Sequence, residues 1–197
     1  VHPHEADAHP DLGAAALIEA ARHPRVIAIG ECGLDYYYDK SDRAAQRERF
    51  AAHIEAARET GLPLIIHTRD AEDDTANILT REMGKGGVTG VLHCFTGSKK
   101  LADIALELGL YISLSGIVTF KNAADLQATA KTIPEDRILV ETDAPFLAPM
   151  PNRGKTCEPA FVVDTARFVA GLRGADFDDF AASTTSNFFK LFGKAKA

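Results

Sequence analysis

Cysteine is scarce in this chain. Cys32, Cys94 and Cys157 are the only three, and no two of them form a CxxC pair. An odd, scattered set argues against a disulfide framework and fits a reduced, cytoplasmic protein. No apolar run approaches the length of a membrane span, and nothing has the layout of a secretory leader. No GxGxxG follows any apolar run, so a dinucleotide site has no support. Positive charge is in deficit: 22 Lys and Arg against 28 Asp and Glu give a formal net charge of −6. The basic surface that announces most nucleic-acid binders is therefore missing, and such a substrate would require bound cations or a local patch. Low-complexity linkers and sequence repeats are absent too. The chain begins without Met, in the string 1-VHPHEADAH-9, which reads as the remainder of a longer protein.

What is present is ordinary for a globular protein. The 197 residues are 46% hydrophobic and 25% charged, enough for one sizeable core and one domain over 1–197. Five apolar runs recur: 25-RVIAIGE-31, 62-LPLIIH-67, 88-VTGVLH-93, 110-LYISLSGIVTF-120 and 138-ILVETD-143. Their starts lie 22 to 37 residues apart, the length of a βα unit. Helical patterns fill the intervals at 42–61, 71–83, 98–109 and 122–133, with one before them at 10–21 and two after them at 158–172 and 176–192. The 42–61 segment has Ser41 as its cap and Gly61 as its stop. Alternation of this kind predicts a parallel sheet covered by helices, as an open doubly wound sheet or a (β/α)₈ barrel.

The polar residues fall in one place. The runs end at Glu31, His67, His93 and Asp143, with gaps of 36, 26 and 50 residues. Carboxylates at the end of a buried strand are costly unless something pairs them. In a barrel the C-terminal strand ends share one mouth, and two imidazoles with two carboxylates make a site for one or two divalent cations such as Zn, Mg or Mn. A lone strand-end histidine is more often structural, and a lone acid is commonly a helix cap. Four in one register favour the metal. By the two-residue period of a strand, Cys32, Thr68, Cys94 and Thr142 then face the helices. His53, mid-helix among charges, reads as solvated, and His23 as a loop residue.

The strings 30-GECGLDYYYD-39, 63-PLIIHTRDA-71, 92-LHCFTGS-98, 141-ETDAPFLAP-149 and 153-RGKTCEP-159 resemble the TatD family of metal-dependent deoxyribonucleases, within the amidohydrolase-like barrels. The ending 184-TTSNFFKLF-192 is similar to that family's closing helix. The resemblance implies a TIM-type (β/α)₈ barrel. Glu31 would bridge metals, His67 and His93 would ligate one, and Asp143 would bind metal and the attacking water. Arg69 and Arg153 would hold substrate phosphate, a role suited to a planar charged fork; pairing with Asp70 or Asp73 is the competing reading for Arg69. Two departures stand out. The family's opening HxH strand has no counterpart, so about two strands are expected to be absent, and 1-VHPH-4 matches the end of the third strand. His2, ahead of His4, is then a group near the metal or the substrate. Cys157 stands where the family often has Asn.

The implied chemistry is hydrolysis of DNA phosphodiester bonds by a metal-activated water, with Asp143 as base and Glu31 holding the metals. Two alternatives stay open. One is a metal-dependent deacylase or amidohydrolase acting on an ester or amide such as D-aminoacyl-tRNA, with 36-YYYD-39 stacking on a base or an aminoacyl group. The other is a catalytically impaired barrel fragment. The expected partners are DNA or another phosphodiester, with no membrane and no protein partner.

Overall fold

The computed structural model describes residues 1–195. Five strands form one parallel sheet in chain order: β1 (Ile29–Asp35), β2 (Leu64–Arg69), β3 (Gly90–Leu92), β4 (Tyr111–Leu114) and β5 (Ile138–Val140). Each strand pairs with the next, and the order never reverses. That excludes a doubly wound sheet, which has a switch point where strand order turns back, and matches the sequential order of a barrel. β1 and β5 are the two edges among the described residues.

Helices follow the strands as the patterns require. They are α1 (Ala14–Ala21), α2 (Arg43–Thr60), α3 (Glu72–Met83), α4 (Lys99–Glu107), α5 (Ala124–Ala130), α6 (Val162–Arg173) and α7 (Phe177–Leu191). None of the described helices is long and apolar enough to cross a membrane. The cap of α2 is Asp42 rather than Ser41: its carboxylate accepts from the Ala44 and Ala45 amides. Ser41 is instead committed backwards, where its hydroxyl accepts from the Asp7 amide at 3.0 Å. Gly61 stops α2 at φ 67, a left-handed position that glycine adopts without strain.

Two strand boundaries differ from the sequence patterns. The first apolar run begins its ladder only at Ile29 and continues four residues beyond Glu31, to Asp35. The 110–120 run is strand only to Leu114; a 3-10 turn follows at Gly116–Thr119. Continuous hydrophobicity did not distinguish the two, because both segments are buried. Gly116, which opens that turn, leaves no room for a side chain: a Cβ there would sit 2.0 Å from the Leu147 carbonyl oxygen.

The sheet buries both faces. Toward the helices, Cys32, Leu34, Leu64, Ile66, Leu92 and Ile112 pack with Phe50, Ile54, Leu79 and Leu101 in the main core. Fully burying one such side chain stabilises the fold by about 1.5–3 kcal/mol. Toward the other face, Ile65, Val91, Tyr111 and Leu139 form an apolar rung that meets Leu191 and Phe192 at the end of α7. The reading of His53 as solvated is overturned: it is 1% exposed. Its Nδ1 lies 2.6 Å from the Arg49 carbonyl. Burial pushes its pKa down to about 4, against the contact with that carbonyl, which raises it.

Candidate metal centre

The site sits one step along the strands from the apolar rung. His67 lies two residues past Ile65, His93 two past Val91, Ser113 two past Tyr111 and Glu141 two past Leu139. Because side chains alternate, each shares the face of the apolar residue before it. On β1 the buried Cys32 and Leu34 belong to the helix-facing core, which leaves Glu31, Gly33 and Asp35 on the site face. Gly33 is required there: at φ 126 it faces His67 across the ladder, and a Cβ would lie 2.0 Å from the His67 carbonyl oxygen.

Three imidazoles gather on one carboxylate oxygen. Glu31 Oε1 lies 2.8 Å from His93 Nε2, 3.0 Å from His67 Nδ1 and 3.4 Å from His2 Nε2. Burial alone would raise the Glu31 pKa, but the three imidazole contacts outweigh it and hold the carboxyl well below its ordinary range. One donor atom each from His2, Glu31 and His67 falls within 4.8 Å of the others, which is a chelating spacing. Neutral imidazole nitrogens with a carboxylate make the donor set of zinc and its first-row neighbours. The residues therefore fit a divalent metal.

The predicted residues fare unequally. Glu31, His67, His93 and His2 are brought together. Asp143 stands at the border: its Oδ2 is 3.9 Å from the Cys94 thiol, the residue next to His93. Burial raises its pKa, and although His93 and His67 oppose this, the charges of Glu141 and Glu31 reinforce it. Arg69 and Arg153 are not among the groups that touch Glu31. The Arg69 guanidinium lies 3.9 Å over the Tyr37 ring and forms no ion pair with Asp70 or Asp73 among the described residues. Arg153 lies 4.2 Å over the Phe120 ring.

Two expectations are corrected here. Cys94 does not face the helices; its φ of 43 breaks the alternation and turns the thiol to Ser115 Oγ at 3.2 Å. His4, ranked behind His2, is as closely engaged, with Nε2 2.8 Å from Asp35 Oδ2. Thr68 does face a helix, bonding Thr75 of α3 at 2.9 Å.

Two carboxylates were missed. Asp35 is fully buried. One of its oxygens accepts from the Tyr37 and Tyr38 amides at 3.1 and 3.0 Å. The other lies 3.1 Å from His67 Nε2. Burial alone would raise its pKa, but these hydrogen bonds keep the carboxyl below its ordinary value. The period of two, Glu31-Gly33-Asp35, was the available signal.

Glu141 accepts from the Cys94 amide and the Ser113 hydroxyl, each at 2.6 Å, and lies 3.2 Å from His93 Nδ1. Burial would lower the His93 pKa, but Glu141 and Glu31 carry it up to about 10. Asp35 and Glu141 thus fix the rings of His67 and His93 from behind, as carboxylates behind metal-bound histidines do. Replacing Glu141 with Gln is expected to weaken metal binding by about 10- to 100-fold, read by calorimetric titration of the metal, with the fold intact by circular dichroism.

A parallel, sequentially ordered sheet that gathers imidazoles and carboxylates on one face has the architecture of a metal-dependent hydrolase barrel. The family model "TatD related DNase" matches residues 1–193. The chain belongs to the TatD family. It is 51% identical over 176 residues to the protein named "Uncharacterized metal-dependent hydrolase YcfH" of Escherichia coli (strain K12), covering 89% of this chain and 66% of that protein. It is 36% identical over 199 residues to the protein named "3'-5' ssDNA/RNA exonuclease TatD" of Klebsiella pneumoniae (strain 342), covering 98% of this chain and 75% of that protein. Among solved structures, the crystal structure of YJJV, a TatD homolog from Escherichia coli K12, superposes with a TM-score of 0.88 at 28% identity. That match covers 98% of this chain and 74% of the other. The chain therefore spans about two thirds to three quarters of the length of these relatives.

Proposed function

We propose that this chain carries the metal centre of a TatD-type nuclease that hydrolyses phosphodiester bonds in DNA. The observation that supports it most is the convergence of His67, in β2, and His93, just past β3, on one carboxylate oxygen of Glu31, in β1. The exonuclease name of a 36% identical relative supports the phosphodiester over an amide or aminoacyl ester.

Glu31, His67 and His93, with His2 beside them, would hold the ion. A bound divalent ion supplies an acidified water and positive charge against the phosphate. The chain's own groups do the rest. Asp143 takes the proton of the attacking water; a carboxyl raised by burial and by neighbouring negative charge suits that task. Asp35 and Glu141 keep the imidazoles oriented. Among the described residues, Arg69 and Arg153 carry unpaired guanidinium edges for substrate phosphate, since a ring beneath a guanidinium engages its face and leaves its N–H edge free. The formal charge of −6 makes affinity for DNA depend on bound cations.

The test pairs two substrates, a labelled single-stranded oligonucleotide and a D-aminoacyl-tRNA, each with added Mn²⁺ or with chelator. Cleavage of the oligonucleotide that chelator abolishes is the expected result. Deacylation of the tRNA with an untouched oligonucleotide would overturn the nuclease reading.

A further inference from the structure

Two large aromatic side chains stand in solvent beside the site, and the mechanism above does not use them. Tyr37 is 56% and Tyr38 51% exposed. They form an edge-to-face pair with centroids 4.9 Å apart. Their neighbour Tyr36 is occupied differently: its hydroxyl donates to Asp74 at 2.6 Å, and Arg43 covers its ring at 4.4 Å. Among the described residues, the Tyr37 and Tyr38 hydroxyls have no hydrogen-bond partner.

The backbone of the pair is tied at a fixed offset from the metal ligands. Asp35 Oδ1 accepts from both tyrosine amides, while Oδ2 faces His67 and His4. His4 also meets the Tyr38 ring edge-on, 5.4 Å between centroids. One buried carboxylate therefore ties the aromatic pair and the metal centre into one unit. Cations flank it: Arg69 lies 3.9 Å over Tyr37 and 4.7 Å over Tyr38, and Lys40 lies 5.4 Å over Tyr38. Neither Arg69 nor Lys40 is engaged in an ion pair among the described residues. Among the described residues, an otherwise acidic chain thus keeps two cations without an ion-pair partner and two aromatic rings, each more than half exposed and each with one face under a cation, together next to its metal ligands.

Resting on the nuclease reading, we propose that Tyr37 and Tyr38, backed by Arg69 and Lys40, are a stacking platform for an unpaired base of a single-stranded nucleic acid. The cations follow the flanking phosphates. A base in a duplex has no free face to offer, whereas an unpaired base stacks on an aromatic ring whatever its sequence. The platform selects single strands or frayed ends over duplex.

The test uses the metal-loaded protein in Mn²⁺ buffer and nuclease-resistant phosphorothioate oligonucleotides, read by fluorescence anisotropy. One oligonucleotide is a short oligothymidine; the other has the same length and backbone but no bases. Tyr37→Ala with Tyr38→Ala is expected to weaken oligothymidine binding by about 5- to 140-fold and to weaken binding of the abasic strand far less, the remainder being what Arg69 loses with the rings beneath it. Tyr37→Phe with Tyr38→Phe retains the rings and is expected to restore oligothymidine binding. Wild-type affinity in the alanine pair, or an equal loss on the abasic strand, would overturn the platform. Failure of the wild-type protein to cleave ordinary oligothymidine is a separate result, which would end the nuclease reading while binding to the rings still decides this one.

Discussion

Asp143→Asn is expected to reduce phosphodiester hydrolysis by about 10²- to 10⁴-fold, the size of a lost general base. The amide keeps the shape of the side chain but has negligible affinity for the water's proton. Little else should move. Asp143 lies in an irregular segment past the end of β5, partly buried, and the one hydrogen-bond partner of its carboxylate among the described residues is the Cys94 thiol, at 3.9 Å. Its φ of 60 is a conformation that Asn tolerates as well as Asp. Thermal unfolding should therefore shift little, and the loss should appear in kcat more than in KM. Turnover within a few-fold of wild type would show that the proton goes elsewhere.

Glu31→Gln is expected to act one step earlier, on the metal itself. The carboxylate meets three imidazoles through a single oxygen. Removing its charge leaves three nitrogen donors without their central anion. Metal content after dialysis, measured by atomic emission, should fall to near background, and activity should fall with it and not return at ordinary metal concentrations. Stability is expected to fall as well. In the absence of metal, Glu31 is held ionised by those imidazoles, so its loss also removes native charge pairs, and the metal-free variant should melt below the metal-free wild type. A Glu31→Gln protein with full metal occupancy would refute the bridging role.

Much of this centre was legible in the sequence, for a specific reason. Glu31, His67, His93 and Asp143 each end a run of apolar residues, and a parallel sheet delivers strand ends to one rim. Asp35 shares the two-residue period of Glu31, but the run 25–31 reads as the whole strand while the ladder occupies Ile29–Asp35, so the period is not followed far enough to reach it. A bulge between Ile29 and Cys32 shifts the pairing, and no apolar pattern announces it. Glu141 and Asp143 are two residues apart and look equivalent in an extended strand. They separate because β5 ends at Val140 and Asp143 turns to positive φ, so one carboxylate supports His93 while the other faces Cys94. Cys94 was misread for the same reason: strict alternation holds only while the backbone stays extended. His53 was misjudged because a charged helix face by composition is covered in space by the N-terminal segment, which Arg49 clasps through the carbonyls of His9, Pro10 and Leu12.

The two-residue step from Ile65 to His67, Val91 to His93 and Leu139 to Glu141 carries an evolutionary consequence. Deleting a single residue upstream within any one of these strands would rotate its donor into the helix layer and present a greasy side chain at the mouth. Point substitutions can retune this chemistry gradually, but insertions and deletions are confined to the loops, where the pleat does not count them.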